Sequence, residues 1–143
     1  VSDLSEYRRF IERKRVAHVA TGMDCVPELS SSLFDHQRHT VDFALRRGRS
    51  AAFLDTGLGK SICALEWGRV VVEHTNKPVL MLAPLAVAQQ HEREADKFAI
   101  DAKAVRSADE MGAKRIYITN YDRLSKFDPS RFGGVILDES SVI

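Results

Sequence analysis

Ser50-Ala-Ala-Phe-Leu-Asp-Thr-Gly-Leu-Gly-Lys-Ser61 is the stretch around which the rest of the chain is read. Ser50 to Asp55 is a short, mostly apolar run of the kind that forms a buried strand. It breaks at Gly57-Leu-Gly59, and an apolar helical pattern begins just after Lys60. Strand, glycine turn and helix start, with Lys-Ser at the junction, is an arrangement that cradles phosphate. Glycines let the backbone come close and take positive φ, so successive N–H groups can face one anion. A helix N-terminus adds unpaired N–H donors and the positive end of its dipole. Lys60 would then reach the β and γ phosphates of a nucleoside triphosphate, and the Ser61 hydroxyl would take one position on Mg²⁺. The strict spacing has glycine five places before the Gly-Lys pair, where this chain has Leu54. A glycine turn alone therefore does not decide the matter.

The second half of the expected site lies near the end of the chain. Val135-Ile-Leu137 reads as a buried strand and runs straight into Asp138-Glu139. Two carboxylates at the carboxyl end of such a strand need a reason, because that edge of a parallel sheet is where ligands bind. Asp138 is expected to hold Mg²⁺ opposite Ser61, and Glu139 to orient or deprotonate the water that attacks the γ-phosphate. A plain helix cap is the structural alternative for the pair. Upstream, Leu33-Phe-Asp-His-Gln37 supplies an aromatic and a carboxamide. Gln37 offers a donor and an acceptor together, matching the N6 and N7 edge of adenine, while Phe34 could pack on the base or anchor its helix.

Length and composition fit one α/β domain. The chain has 143 residues, 44% hydrophobic and 29% charged, which is enough apolar content to bury a core. A net charge of +1 gives no whole-molecule attraction to a polyanion, so a nucleic-acid surface would have to be local. Two cysteines, Cys25 and Cys63, make neither a disulfide framework nor a metal cluster, and Cys63 reads as a small core residue. The longest apolar stretch, 79–88, is too short to span a bilayer, and the first residues lack the apolar run of a signal peptide. An intracellular protein is expected, cytoplasmic if bacterial or viral and otherwise nuclear, with no membrane partner.

Taken in order, residues 2–15 read as an amphipathic helix and 16–32 as loop, together an accessory segment ahead of the lobe spanning 33–143. Helices follow over 36–47, from Lys60 to about His74, and over 86–98. Strands are expected at 50–55, 79–83, 102–105, 115–119 and 134–137, with a helical turn at 121–126. Alternating strands and helices imply a mostly parallel sheet. The basic cluster Arg46-Arg47-Gly-Arg49 suits a helix C-terminus better than a nucleic-acid contact.

These stretches, in this order, resemble the first motor lobe of superfamily-two helicases, the Snf-type translocases being the closest branch. Leu33–Gln37 is similar to the adenine-reading glutamine motif, and Asp55-Thr-Gly-Leu-Gly-Lys-Ser61 to motif I, whose relatives usually lack the distant first glycine. Leu82-Ala-Pro-Leu85 resembles motif Ia, with Gln89-Gln-His91 where relatives often carry Gln-Trp. Ile118-Thr-Asn-Tyr-Asp122 resembles motif Ib, and Asp138-Glu-Ser-Ser141 motif II, with Ser-Ser in place of Ala-Asp or Ala-His. The resemblance implies a RecA-like P-loop NTPase lobe, incomplete at its C-terminus. Its cofactors would be ATP and Mg²⁺, with Thr56, Gly57, Leu58, Gly59, Lys60, Ser61, Phe34 and Gln37 around the nucleotide, and Lys60, Asp138 and Glu139 as the catalytic set.

It also implies contacts from Pro84, Leu85, Thr119, Asn120 and Tyr121 to the backbone of a nucleic acid, with double-stranded DNA favoured. A second RecA-like lobe of the same longer chain would supply arginine fingers. In family topology, a strand beyond Ile143 normally lies between the phosphate-loop strand and the Asp-Glu strand, so a mid-sheet gap with exposed apolar edges is expected. On this reading the chain alone binds ATP weakly and hydrolyses it negligibly. A nucleotide-gated clamp on DNA without useful turnover is the alternative. A P-loop kinase is a third class, against which Gln37 and the segments at Pro84-Leu85 and Tyr121 argue.

Overall fold

Four consecutive apolar residues, Val79-Leu-Met-Leu82, form strand β1 and are all buried, as a strand covered on both faces must be. The computed structural model describes residues 3–14, 19–55 and 57–139. In it β1 pairs in parallel with β3 (Ile116–Thr119) on one side and β4 (Gly134–Leu137) on the other. Strand β2 (Ala102–Ala104) adds outside β3, giving a four-stranded, all-parallel sheet in the order β2-β3-β1-β4. Register pairs Leu82 with Thr119 and with Leu137, so the three strands end together. The fold is α/β, and the carboxyl edge of its sheet gathers Ala83-Pro84, Asn120-Tyr121 and Asp138.

Alternation along the strands divides the core in two. Val79, Met81, Ile116, Ile118 and Ile136 face α2 (Asp35–Arg47), α3 (Lys60–Thr75) and α4 (Ala88–Lys97), whose Val41, Leu45, Leu65, Val70 and Ala95 complete that layer. Leu80, Leu82 and Tyr117 face the other way, under Val105, Phe127 and Phe132. Among the described residues, only short 3₁₀ turns such as 121–126 and 129–131 contribute helical cover there. At the β4 edge that second layer thins: Val135 and Leu137 are about half exposed.

The strand expected over 50–55 does not form. The run pairs with no other segment of the sheet, and Phe53 is 97% exposed. Apolar sequence does not hold a strand by itself; stability comes from cross-strand neighbours and a covered face, and β4 stands at the sheet edge without this run beside it. Phe53, Val135 and Leu137 are exposed, but with no strand at 50–55 the four described strands are contiguous and the expected mid-sheet gap is not present among them.

Helix α1 (Asp3–Lys14) forms close to where its pattern predicts, yet Leu4, Tyr7, Phe10 and Ile11 are all exposed. The loop after it is better anchored than its composition suggests. Met23 and Leu29 enter the main core, Met23 N–H donates to the Leu45 carbonyl, and Arg46 donates to the Asp24 carbonyl while pairing with Asp42. Farther along the loop, the Ser30 N–H donates to Glu66 Oε1 at 2.8 Å. Glu66 is fully buried, and Arg69 grips both its oxygens at 2.7 and 2.9 Å. That fork pins residues 29–33 against α3 and so sets where α2 begins. No described helix is long and apolar enough to cross a membrane.

Candidate nucleotide site

Gly57 and Gly59 adopt φ of 85° and 80°, the left-handed region that side chains disfavour. Gly59 has a second constraint, because a Cβ there would collide with the Gln37 amide. It is the N-cap of α3 and supplies no side-chain cap, and no acidic residue occupies the helix's first turn. No carboxylate of the helix's own first turn therefore offsets its dipole. Lys60, the first helical residue, is exposed, and Ser61 beside it is partly buried. Thr56 lies outside the described residues.

Asp138 and Glu139 follow β4 directly. The Asp138 N–H donates to the Leu82 carbonyl at 2.8 Å, extending the ladder by one residue. Its carbonyl accepts the Tyr121 hydroxyl at 2.6 Å, and its carboxylate meets His91 Nε2 at 2.8 Å. Glu139 is exposed and takes φ of 50°, a conformation costing a non-glycine residue about 1–2 kcal/mol. Strain immediately after a strand, on a carboxylate expected to do chemistry, is where functional sites tend to store it. Burial pushes the Tyr121 phenol up, and the charges of Asp138 and Glu139 push it further, so it stays a donor at neutral pH.

Packing of α3 on β4 fixes how the glycine loop and acidic pair relate. A Cβ on Gly133 would meet Thr75, one on Gly134 would meet Trp67 and Val71, and one on Gly68 would meet Ile116 first and then Ile136. Helix and strand therefore run antiparallel, the end of α3 over the start of β4. With about 1.5 Å per helical and about 3.3 Å per strand residue, stepping from Gly68 back to Ser61 and along β4 to Asp138 leads toward the same edge of the sheet. Alternation from Gly134 through Ile136 puts Asp138 on the α3 side of the sheet. Gly68 and Gly134 are what let the helix lie this close.

Gln37 has partners within the fold. Its Oε1 accepts from the Phe34 N–H at 3.0 Å and its Nε2 donates to the Leu58 carbonyl at 3.1 Å. The carboxamide is buried and ties the start of α2 to the glycine loop, leaving one lone pair and one hydrogen for anything else. Phe34 is exposed and stacks on His36, whose Nε2 also lies 3.3 Å from the Leu58 carbonyl. Among the five residues expected on nucleic acid, Leu85 is 64% exposed, Pro84 and Tyr121 are partly buried, and Thr119 and Asn120 are buried. All five border the same sheet edge.

His91 was not among the expected site residues. In the sequence it stands out through its place after the Leu82–Leu85 motif and its spacing on the buried stripe of α4 with Ala88 and Ala95. Among the described residues no three His, Cys, Asp or Glu side chains cluster to hold a metal. A divalent ion at Asp138 would need the Ser61 hydroxyl, phosphate oxygens and water, the donor set that suits Mg²⁺ on a triphosphate. Comparison with protein-family models gives no match, and comparison with curated proteins gives none either.

Proposed function

We propose that the chain is the ATP-binding, RecA-like lobe of an ATP-dependent nucleic-acid translocase or helicase. The antiparallel run of α3 over β4 supports this most strongly, since the Lys60-Ser61 helix start and Asp138 then belong to the same edge of the sheet. Magnesium, when bound with ATP, neutralises charge on the phosphate oxygens. Ser61 and Asp138 are the residues that would hold it. Lys60 and the first amides of α3 bind the β and γ phosphates, and Gly57 and Gly59 let the backbone approach them. Glu139 orients a water and accepts its proton as the water oxygen bonds the γ-phosphorus and the β–γ bridging oxygen leaves.

The nucleic-acid half of the reading draws on the motif resemblance. Its support here is that residues 84–85 and 119–121 border the same edge as Asp138, where a change at the nucleotide could reach them. Double-stranded DNA is the favoured track, and a second lobe of the same longer chain is the favoured catalytic partner.

Binding of a fluorescent ATP analogue, with and without Mg²⁺, tests the nucleotide half. Asp138→Asn should abolish most of the Mg²⁺-dependent gain in affinity, and Glu139→Gln should leave affinity within about threefold, since an orienting base contributes to reaction more than to binding. Equal loss in both variants, or phosphate transfer to a small molecule without DNA or RNA, would count against the assignment.

A further inference from the structure

Asp138 is restrained at three points. Its N–H is tied to Leu82 and its carbonyl to Tyr121, so the backbone is fixed from both sides. The remaining freedom is the carboxylate's rotation, and His91 takes hold of that through Oδ2. A carboxylate only accepts, so His91 Nε2–H is the donor. His91 is 5% exposed, and among the described residues its Nδ1 is buried without a partner. A histidine used merely to fill the α4–sheet layer would be expected to satisfy both ring nitrogens or to be replaced by an apolar residue. The ring instead makes a single polar contact, and makes it to the one side chain at the strand end expected to meet the cation.

We infer that His91 is a positioning residue for magnesium-nucleotide: it holds Oδ2 of Asp138 so that Oδ1 is the oxygen presented toward the α3 N-terminus. The inference rests on the reading of this edge as an ATP site and goes beyond the motif resemblance, in which this position usually carries a different residue. It makes α4 part of the metal site.

The test compares His91→Leu, which keeps bulk without a donor, with His91→Gln, whose Nε2 can replace the imidazole donor. Affinity for the fluorescent ATP analogue is measured in EDTA and in Mg²⁺, together with the thermal midpoint. Outer-shell partners of metal ligands typically change metal affinity about 10–100-fold. The expected result is a loss of about tenfold in the Mg²⁺-dependent gain for His91→Leu, an unchanged affinity in EDTA, and recovery of most of the gain in His91→Gln. Wild-type gain in both variants overturns the inference, as does equal loss in both alongside a lowered midpoint, which marks a packing role. Lys60→Ala separates the two levels. If it leaves ATP affinity unchanged, or the unsubstituted chain shows no Mg²⁺-dependent gain, the ATP site itself falls and the role of His91 with it.

Discussion

Arg69→Met is expected to destabilise the fold by about 3–5 kcal/mol, the cost of stranding a buried charge after removing its partner. Glu66 is fully buried, and its counter-charge comes from the Arg69 fork, with one further hydrogen bond from the Ser30 N–H. Burial pushes the Glu66 carboxyl up; the Arg69 hydrogen bonds, the Ser30 N–H and the charges of Arg69 and Arg38 outweigh it and hold the carboxyl below its usual 4.5. A carboxyl lowered by folding stabilises at pH values above its unfolded pKa, and that contribution fades as pH drops through the folded value. Without Arg69 the sign reverses, because burial then dominates and the variant's penalty is relieved as acid protonates Glu66. Urea denaturation at pH 7 and pH 5 checks both parts. The gap between the two proteins should be several kcal/mol at pH 7 and narrower at pH 5. A gap under about 1 kcal/mol at pH 7, or one that widens with acid, would contradict the account.

Lys60→Ala should weaken ATP about 10–100-fold, the range expected for one hydrogen-bonded charge on a phosphate. Lys60 is exposed at the first position of α3, and no acidic residue in that turn competes for it. Alanine is an excellent helix former, so stability should hardly change. Adenosine and AMP should bind much as before, because the ammonium is expected to reach only the outer phosphates. Isothermal titration with the three ligands separates these outcomes. ATP affinity within twofold of the unsubstituted chain would remove Lys60 from the site.

Regular elements were legible where a periodic pattern and a packed neighbour agreed. The apolar run at 79–82 and the alternating one at 116–119 became adjacent strands, and 60–75 became the helix that covers them. Residues 50–55 had the composition without the neighbour, and stayed outside the sheet. Helix α1 likewise had an apolar stripe, and its Leu4, Tyr7, Phe10 and Ile11 stay exposed. Of the candidate site, the glycine loop and acidic pair were readable because each needs a particular residue at a particular element end. Gln37 was read as an adenine contact, whereas its bond to the Leu58 carbonyl depends on tertiary approach at Gly59. Spacing alone could not reveal His91 as the partner of Asp138, since the two lie 47 residues apart and meet only through the stacking of α4 on the sheet.

The central claim is that residues 59–61 and 138–139 share one metal–triphosphate pocket. Mn²⁺–ATP titrated into ¹⁵N-labelled chain tests it most directly, because the paramagnetic ion broadens nearby amides according to distance. The account predicts that the amides of Gly59, Lys60, Ser61, Asp138 and Glu139 broaden together, at the lowest Mn²⁺ levels, and recover with excess Mg²⁺–ATP. Broadening of one group without the other, or of neither, would contradict it.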